Sequence, residues 1–383
     1  MKPLGDKIIF MLGCCLCFLL YGCGDENESN PIPPPPAHLT DSYDDIAALL
    51  EHYNVPGVSI VTIKNFQPDR IIALGVKDKD SNVAVTPNTM FQAASISKSL
   101  VAVAVMKATQ NSELFLDADI NDILNSWQLP DSSYSENNMV TLRGLLGHTA
   151  GINVHGFNGY NRAGELPTTK QVLDGKYPAN SESVKVVHTP GSKFQYSGGG
   201  YTLMQLALTD YYQQPFNEWM HDQVLSPLSM SNSSYQQPLP SALIEQTSSG
   251  HYSNGKKVDG GFHVYPEMAA AGLWTTAEDL VNYTIELQNS LNGNANNLLE
   301  SEPLNEMLAA GQSPGFGLGF ELFRTDNYGY FGHSGANEGF RAVVFAHKTD
   351  GVGLVLMANS DNGIELFNAV LSLVGKLEEW PGF

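Results

Sequence analysis

The chain predicts an α+β protein, with an antiparallel sheet assembled from both ends of the sequence, flanking helices and a helical subdomain inserted at about residues 111–312. Three observations carry this expectation. Val58–Ile63 and Arg70–Val76 are β-rich runs separated by a short loop, which reads as a hairpin. Short β-rich runs return only near the other end, at 320–323, 328–331, 340–347 and 352–357, with turns at Asn327 and Asp350-Gly351. The stretch between has mostly helical spacing, interrupted by Pro, Gly and Ser.

The remaining elements follow in order. Asp41 to Tyr53 has apolar residues at Ile46, Leu49, Leu50 and Tyr53, the spacing of a helix, with Thr40 or Asp41 as its N-cap. From Leu100 to Met106 every residue is apolar, which predicts a helix buried on all sides. A helix over Gly363 to Leu377 closes the chain, and no internal repeat is visible.

Chemistry enters at the head of the buried helix, where Ser95 and Lys98 stand at i and i+3 and so share one helix face. Burial disfavours a charged ammonium. A neutral lysine beside a serine acts as a base and turns the hydroxyl into a nucleophile. The motif alone is a weak signal, and the chain holds a second copy at Ser253-Asn254-Gly255-Lys256. There Asn-Gly suits a hairpin turn, so no buried helix is available to depress the lysine.

Composition bounds the rest. With 383 residues, 42% hydrophobic and 16% charged, the chain can bury one large core or two intimate subdomains. A formal charge of -20 without any basic cluster excludes nucleic acid as a partner. The histidines show no His-Glu-x-x-His or other paired ligand spacing, so neither a metal nor a cofactor is expected. Gly250 to Lys256 imitates a phosphate loop, but Lys257 stands where a Ser or Thr should follow. Trp127, Trp219 and Trp274 read as core or cleft wall.

Residues 1–22 read as a signal segment, in which Lys2 and Lys7 precede the apolar run Ile8 to Leu20. Leu20-Tyr21-Gly22-Cys23 resembles a bacterial lipoprotein signal, which implies lipidation at Cys23 and a periplasmic domain anchored to one of the membranes of the cell envelope. An ordinary secretory signal or a poorly formed membrane anchor is the alternative. All four cysteines (Cys14, Cys15, Cys17, Cys23) lie in this segment, leaving the rest of the chain without a thiol for a disulfide. Residues 23–37 are acidic and then proline-rich, a solvated tether, so the folded domain is expected to span 38–383.

Four further runs accompany Ser95 and Lys98. Pro190 to Tyr201 places Tyr196 in a glycine-rich loop, and Gly332-His333-Ser334-Gly335-Ala336 is a glycine-flanked strand of the kind that lies against a ligand. Leu145 to Gly151, with His148, and Ala271 to Leu280 are the other two. In this order the five resemble the serine β-lactamase-related hydrolases: class C β-lactamases, penicillin-binding peptidases, D-aminopeptidases and esterases of the β-lactamase/DD-peptidase-like fold. The resemblance spans roughly His38 to Leu377. It implies Ser95 as nucleophile, Lys98 as its base or proton relay, and Tyr196 as partner in proton transfer. It further implies an oxyanion hole from the backbone N–H groups of Ser95 and Ala336, and substrate contacts along His333, Ser334 and Gly335. His148 reads as structural.

Two departures from the family pattern stand out. Gly198 occupies the asparagine position of Tyr-x-Asn, and His333 the lysine position of Lys-Thr-Gly. Both weaken the grip on an acylamino group and a carboxylate, unless Arg341 supplies a cation from the next strand. The expected substrates are therefore small esters, or amides of the D-amino peptide kind, cleaved through an acyl-enzyme. A DD-peptidase, a D-aminopeptidase, a weak β-lactamase, and a non-catalytic binder of cell-wall fragments or β-lactams are the alternatives. Gly332 to Ala336 also imitates a lipase elbow with Ser334 as nucleophile, but no acid-then-histidine order follows it.

Overall fold

The computed structural model describes residues 34–36, 39–294, 297–325 and 328–383. The lipoprotein signal, Cys23, most of the tether, His38 and Asn327 lie outside the described residues. Seven strands form one antiparallel sheet: β1 (Gly57–Lys64), β2 (Gln67–Asp78), β3 (Val83–Ala84), β4 (Glu321–Thr325), β5 (Tyr328–Asn337), β6 (Phe340–His347) and β7 (Gly353–Ala358). Their order is β3-β2-β1-β7-β6-β5-β4, so the early hairpin and the late meander meet where β1 pairs with β7.

Strand alternation gives the sheet two apolar faces. On one, Val58, Ile60, Val343, Phe345, Leu354 and Leu356 are buried beneath the terminal helices α1 (Asp45–His52) and α6 (Gly363–Leu377). On the other, Val61, Ile63, Val344, Val355 and Met357 are buried in the larger core that includes α2 (Ile96–Gln110). Each such large apolar side chain contributes about 1.5–3 kcal/mol by leaving water.

α1 begins later than its spacing predicts. Asp45 turns its carboxylate back to accept from the Thr40 N–H at 2.9 Å and hydroxyl at 3.1 Å, and from the Ser42 N–H at 3.0 Å. Those bonds fix a turn in which Asp41 has φ +54°, so neither Thr40 nor Asp41 caps the helix.

After α2, the stretch up to β4 is less helical than its spacing predicts. Most of its described residues are turns and irregular connections, because the Pro, Gly and Ser interruptions break it into short helices. The helices that matter to the site are α3 (Gly198–Tyr212), α4 (Met268–Ala271) and α5 (Ala277–Leu291). A two-residue pairing of Phe91–Gln92 with Trp274–Thr275 ties the approach to α2 onto the segment after α4. Ser253 to Lys256 is a hairpin turn, with His251 bridged to Lys257 and Gly255 at φ +79°.

Candidate active site

Among residues 89–106 only Ser95 is not buried. The turn that presents it is held from both sides: Ala93 N–H donates to Leu273 O at 2.9 Å, and Ser97 Oγ accepts from Leu273 N–H at 3.0 Å while donating to Ala94 O at 2.5 Å. Ala94 has φ +50°, a left-handed conformation that costs a non-glycine residue about 1 kcal/mol and is tolerated where the surroundings over-determine it. Ser95 occupies the N-cap position of α2 without making a capping hydrogen bond, so its hydroxyl is free for other partners.

Lys98 reaches back one turn. Its Nζ lies 2.9 Å from Ser95 Oγ and donates to Ala270 O of α4 at 2.7 Å, and the residue is only 2% exposed. Burial pulls its pKa down to about 7, against an opposing pull from the Glu321 carboxylate. A neutral amine keeps two N–H donors and one lone pair. Its two N–H groups match the two acceptors, Ser95 Oγ and Ala270 O, and the lone pair of the neutral amine is left over.

Tyr196 precedes α3, whose N-cap Ser197 accepts from Gly200 N–H at 2.9 Å and donates to Asn153 O at 2.6 Å. The Tyr196 ring lies 5.0 Å from Lys98 Nζ, and its hydroxyl bonds to Ser95. Burial pushes its pKa above the ordinary tyrosine range. Burial thus shifts the lysine toward the free base and keeps the tyrosine protonated. His148, buried and at φ +54°, stacks on Tyr196 with centroids 4.2 Å apart, and its Nδ1 accepts from Ser197 N–H at 3.0 Å. It holds the tyrosine loop in place.

β5 supplies the third side. A Cβ on Gly335 would lie 2.2 Å from Ala93 O, so the strand and the nucleophile's turn meet backbone to backbone. This brings the adjacent Ala336, which is exposed, beside the Ser95 turn. Gly335→Ala is expected to cost about 1–3 kcal/mol or more of stability by overpacking. It should also lower kcat about a hundredfold by moving the Ala336 N–H away from the Ser95 turn, which thermal melts and steady-state kinetics on the folded fraction would separate.

The two departures have structural correlates. A Cβ on Gly198 would come within 3.1 Å of His155 O and of the Phe157 ring, so the segment 155–157 fills the space an asparagine would need. His333 is 1% exposed, and burial lowers its pKa below the ordinary histidine value, so it supplies no cation. Arg341 does not face the cleft as a spare charge either. Its Nη1 donates to Asp361 Oδ1 at 2.9 Å, Asn337 O at 2.9 Å and Phe340 O at 2.8 Å, closing the β5–β6 turn.

Three site residues had no motif to announce them. Glu321 of β4 is 6% exposed, accepts from Ser334 Oγ at 2.6 Å, and lies 3.5 Å from His333 Nδ1. His155 stacks near Tyr196 at 4.9 Å between centroids. Ala270 contributes only its carbonyl. A charged residue inside the apolar run Phe320 to Phe323 was the one available hint at Glu321. Among the described residues no cluster of His, Cys, Asp and Glu could hold a metal.

An antiparallel sheet with helices packed on it and a helical insert, with Ser-x-x-Lys at the head of a buried helix, is the β-lactamase/DD-peptidase fold. The chain belongs to the Beta-lactamase family, whose profile matches residues 44–375. It is 23% identical over 335 residues to protein flp of Staphylococcus aureus (strain MRSA252), covering 83% of this chain and 63% of that protein. Among solved structures it resembles the octameric penicillin-binding protein homologue from Pyrococcus abyssi, with TM-score 0.71 and 21% identity over 87% of this chain and 76% of the other. It also resembles the D-amino acid amidase of Ochrobactrum anthropi SV3, with TM-score 0.69 and 22% identity over 88% and 98%. The family is typically one of serine hydrolases.

Proposed function

We propose that the protein hydrolyses small esters, or amides of the D-amino acid kind, through an acyl-enzyme on Ser95. The observation that carries this is the buried Lys98 amine 2.9 Å from Ser95 Oγ. Lys98 removes the hydroxyl proton as Oγ adds to the substrate carbonyl carbon. The N–H groups of Ser95 and Ala336 receive the oxyanion. Tyr196 passes its proton to the leaving alcohol or amine as its bond to carbon breaks and regains one from the Lys98 ammonium, which restores the neutral amine. Water then cleaves the acyl-enzyme by the reverse path. The likeness to a D-amino acid amidase supports amide substrates, whereas His333 and Gly198 disfavour penicillin-like acids.

Labelling with a fluorophosphonate followed by peptide mapping tests the reading. The label is expected on Ser95, and Ser334→Ala should retain it. A label on Ser334, or turnover of a chromogenic cephalosporin at the rate of the best ester, would overturn it.

Anchoring belongs to the same proposal. Lipidation at Cys23 would hold the domain at the envelope by the tether, and among the described residues no helix is long and apolar enough to cross a membrane. Cys23→Ser is expected to move active protein from the membrane fraction to the soluble one, and retention after removal of the signal would count against a lipid anchor.

A further inference from the structure

We propose that Glu321 is a specificity-determining residue. Its buried carboxylate accepts a hydrogen bond from the Ser334 hydroxyl, so the β5 edge of the cleft offers acceptors and selects substrates that are neutral or cationic there over those carrying a carboxylate. The proposal rests on the acyl-transfer reading of Ser95 and names the substrate class for that site.

The geometry begins with register. Glu321 lies opposite Gly332, on the same face as Ser334 two residues along β5. Because its direct partner has no side chain, the carboxylate is free to lean along the strand to Ser334 Oγ, 2.6 Å away. A hydroxyl carries one hydrogen, and a carboxylate only accepts. A bond this short to a carboxylate oxygen is among the stronger kinds, so the Ser334 hydrogen stays directed at Glu321.

What remains on Ser334 toward the cleft is lone pairs. Ser334 is partly exposed and Ala336 beyond it exposed, which makes this edge reachable by substrate. His333 adds no opposing charge: its Nδ1 faces two acceptors, Ser334 O at 2.6 Å and Glu321 Oε1 at 3.5 Å, so the ring carries its proton on Nδ1. Its Nε2 is buried without a partner, an acceptor like the others. Arg341 on β6 is committed to Asp361 and two carbonyls. A substrate carboxylate at this edge would meet a fixed negative charge and no hydroxyl donor. An ammonium, or the N–H of an amide, would meet acceptors backed by that charge.

The test compares kcat/KM for three 4-nitrophenyl esters of matched length ending in a carboxylate, a carboxamide or an ammonium. The wild type is expected to favour the carboxamide and ammonium esters over the carboxylate by about tenfold or more. In Glu321→Gln the charge is gone and the side-chain amide can donate to Ser334, so the carboxylate-to-carboxamide ratio should rise about tenfold. A ratio cancels any general loss of activity that a structural role would cause. An unchanged ratio in a folded, active variant overturns the proposal alone. Wild-type preference for the carboxylate ester also overturns it, whether or not the variant folds. If none of the three esters is turned over in a Ser95-dependent way, the reading beneath the proposal fails with it.

Discussion

Ester turnover should fall by about four orders of magnitude or more in Ser95→Ala, with the thermal midpoint nearly unmoved. The activity loss follows because, among the described residues, Ser95 carries the one aliphatic hydroxyl hydrogen-bonded to Lys98. Ser334, the nearest rival in the sequence, has its proton committed to Glu321. The small effect on stability follows from how Ser95 is held. It sits at the head of α2 but caps nothing, and it is the one partly exposed residue in a buried segment. Alanine there removes a partner of Lys98 and of the Tyr196 hydroxyl. The cost is about 1 kcal/mol, at the low end of that for a lost buried partner, because the partly exposed position lets water replace the hydroxyl. Residual turnover above a hundredth of the wild type, in protein free of wild-type contamination, would place the nucleophile elsewhere.

Much of this site was legible because its chemistry is written in local sequence. The buried helix with Ser95 and Lys98, the glycine-rich run around Tyr196 and the strand through His333 each carry a short-range signature of spacing or composition. The sheet was legible for the same reason, since its strands are short β-rich runs bounded by turns. Contacts that depend on register were not. Glu321 reads as one polar residue in the run Phe320 to Phe323, and only the pairing of β4 with β5 turns it toward Ser334. The carbonyl of Ala270 has no side chain to mark it, yet it is the second acceptor for Lys98. His155 gains its place because Gly198 lets the chain close against α3. The start of α1 was misplaced because Asp45 binds back to Thr40 and Ser42, a tertiary detail that helical spacing does not encode.

The second large effect joins activity to stability through one group. Lys98→Met is expected to lower kcat/KM by about 10²–10⁴-fold, the range for loss of a positioned base. In the wild type, kcat/KM should rise with pH through about 7, because only the uncharged amine can accept the Ser95 proton. Tyr196, held above its ordinary range, should impose no loss on the alkaline side below that range. The burial that frees the amine also costs stability. Lowering the lysine from 10.5 to about 7 corresponds to a folding cost on the order of 5 kcal/mol when both states are protonated. Below pH 7 that cost is fully present. Between about 7 and 10.5 the unfolded chain binds one more proton than the folded one, so stability rises with pH and the cost fades. Methionine removes the charge but leaves Ala270 O without its donor, a penalty of about 1–3 kcal/mol. The net gain for Lys98→Met should therefore be about 2–4 kcal/mol near pH 6, shrinking and then reversing toward pH 10. Urea denaturation of the two proteins across that range measures the difference directly. A gap that stays constant with pH would mean that Lys98 titrates alike in both states, and that the amine beside Ser95 is a charged structural contact and not a base.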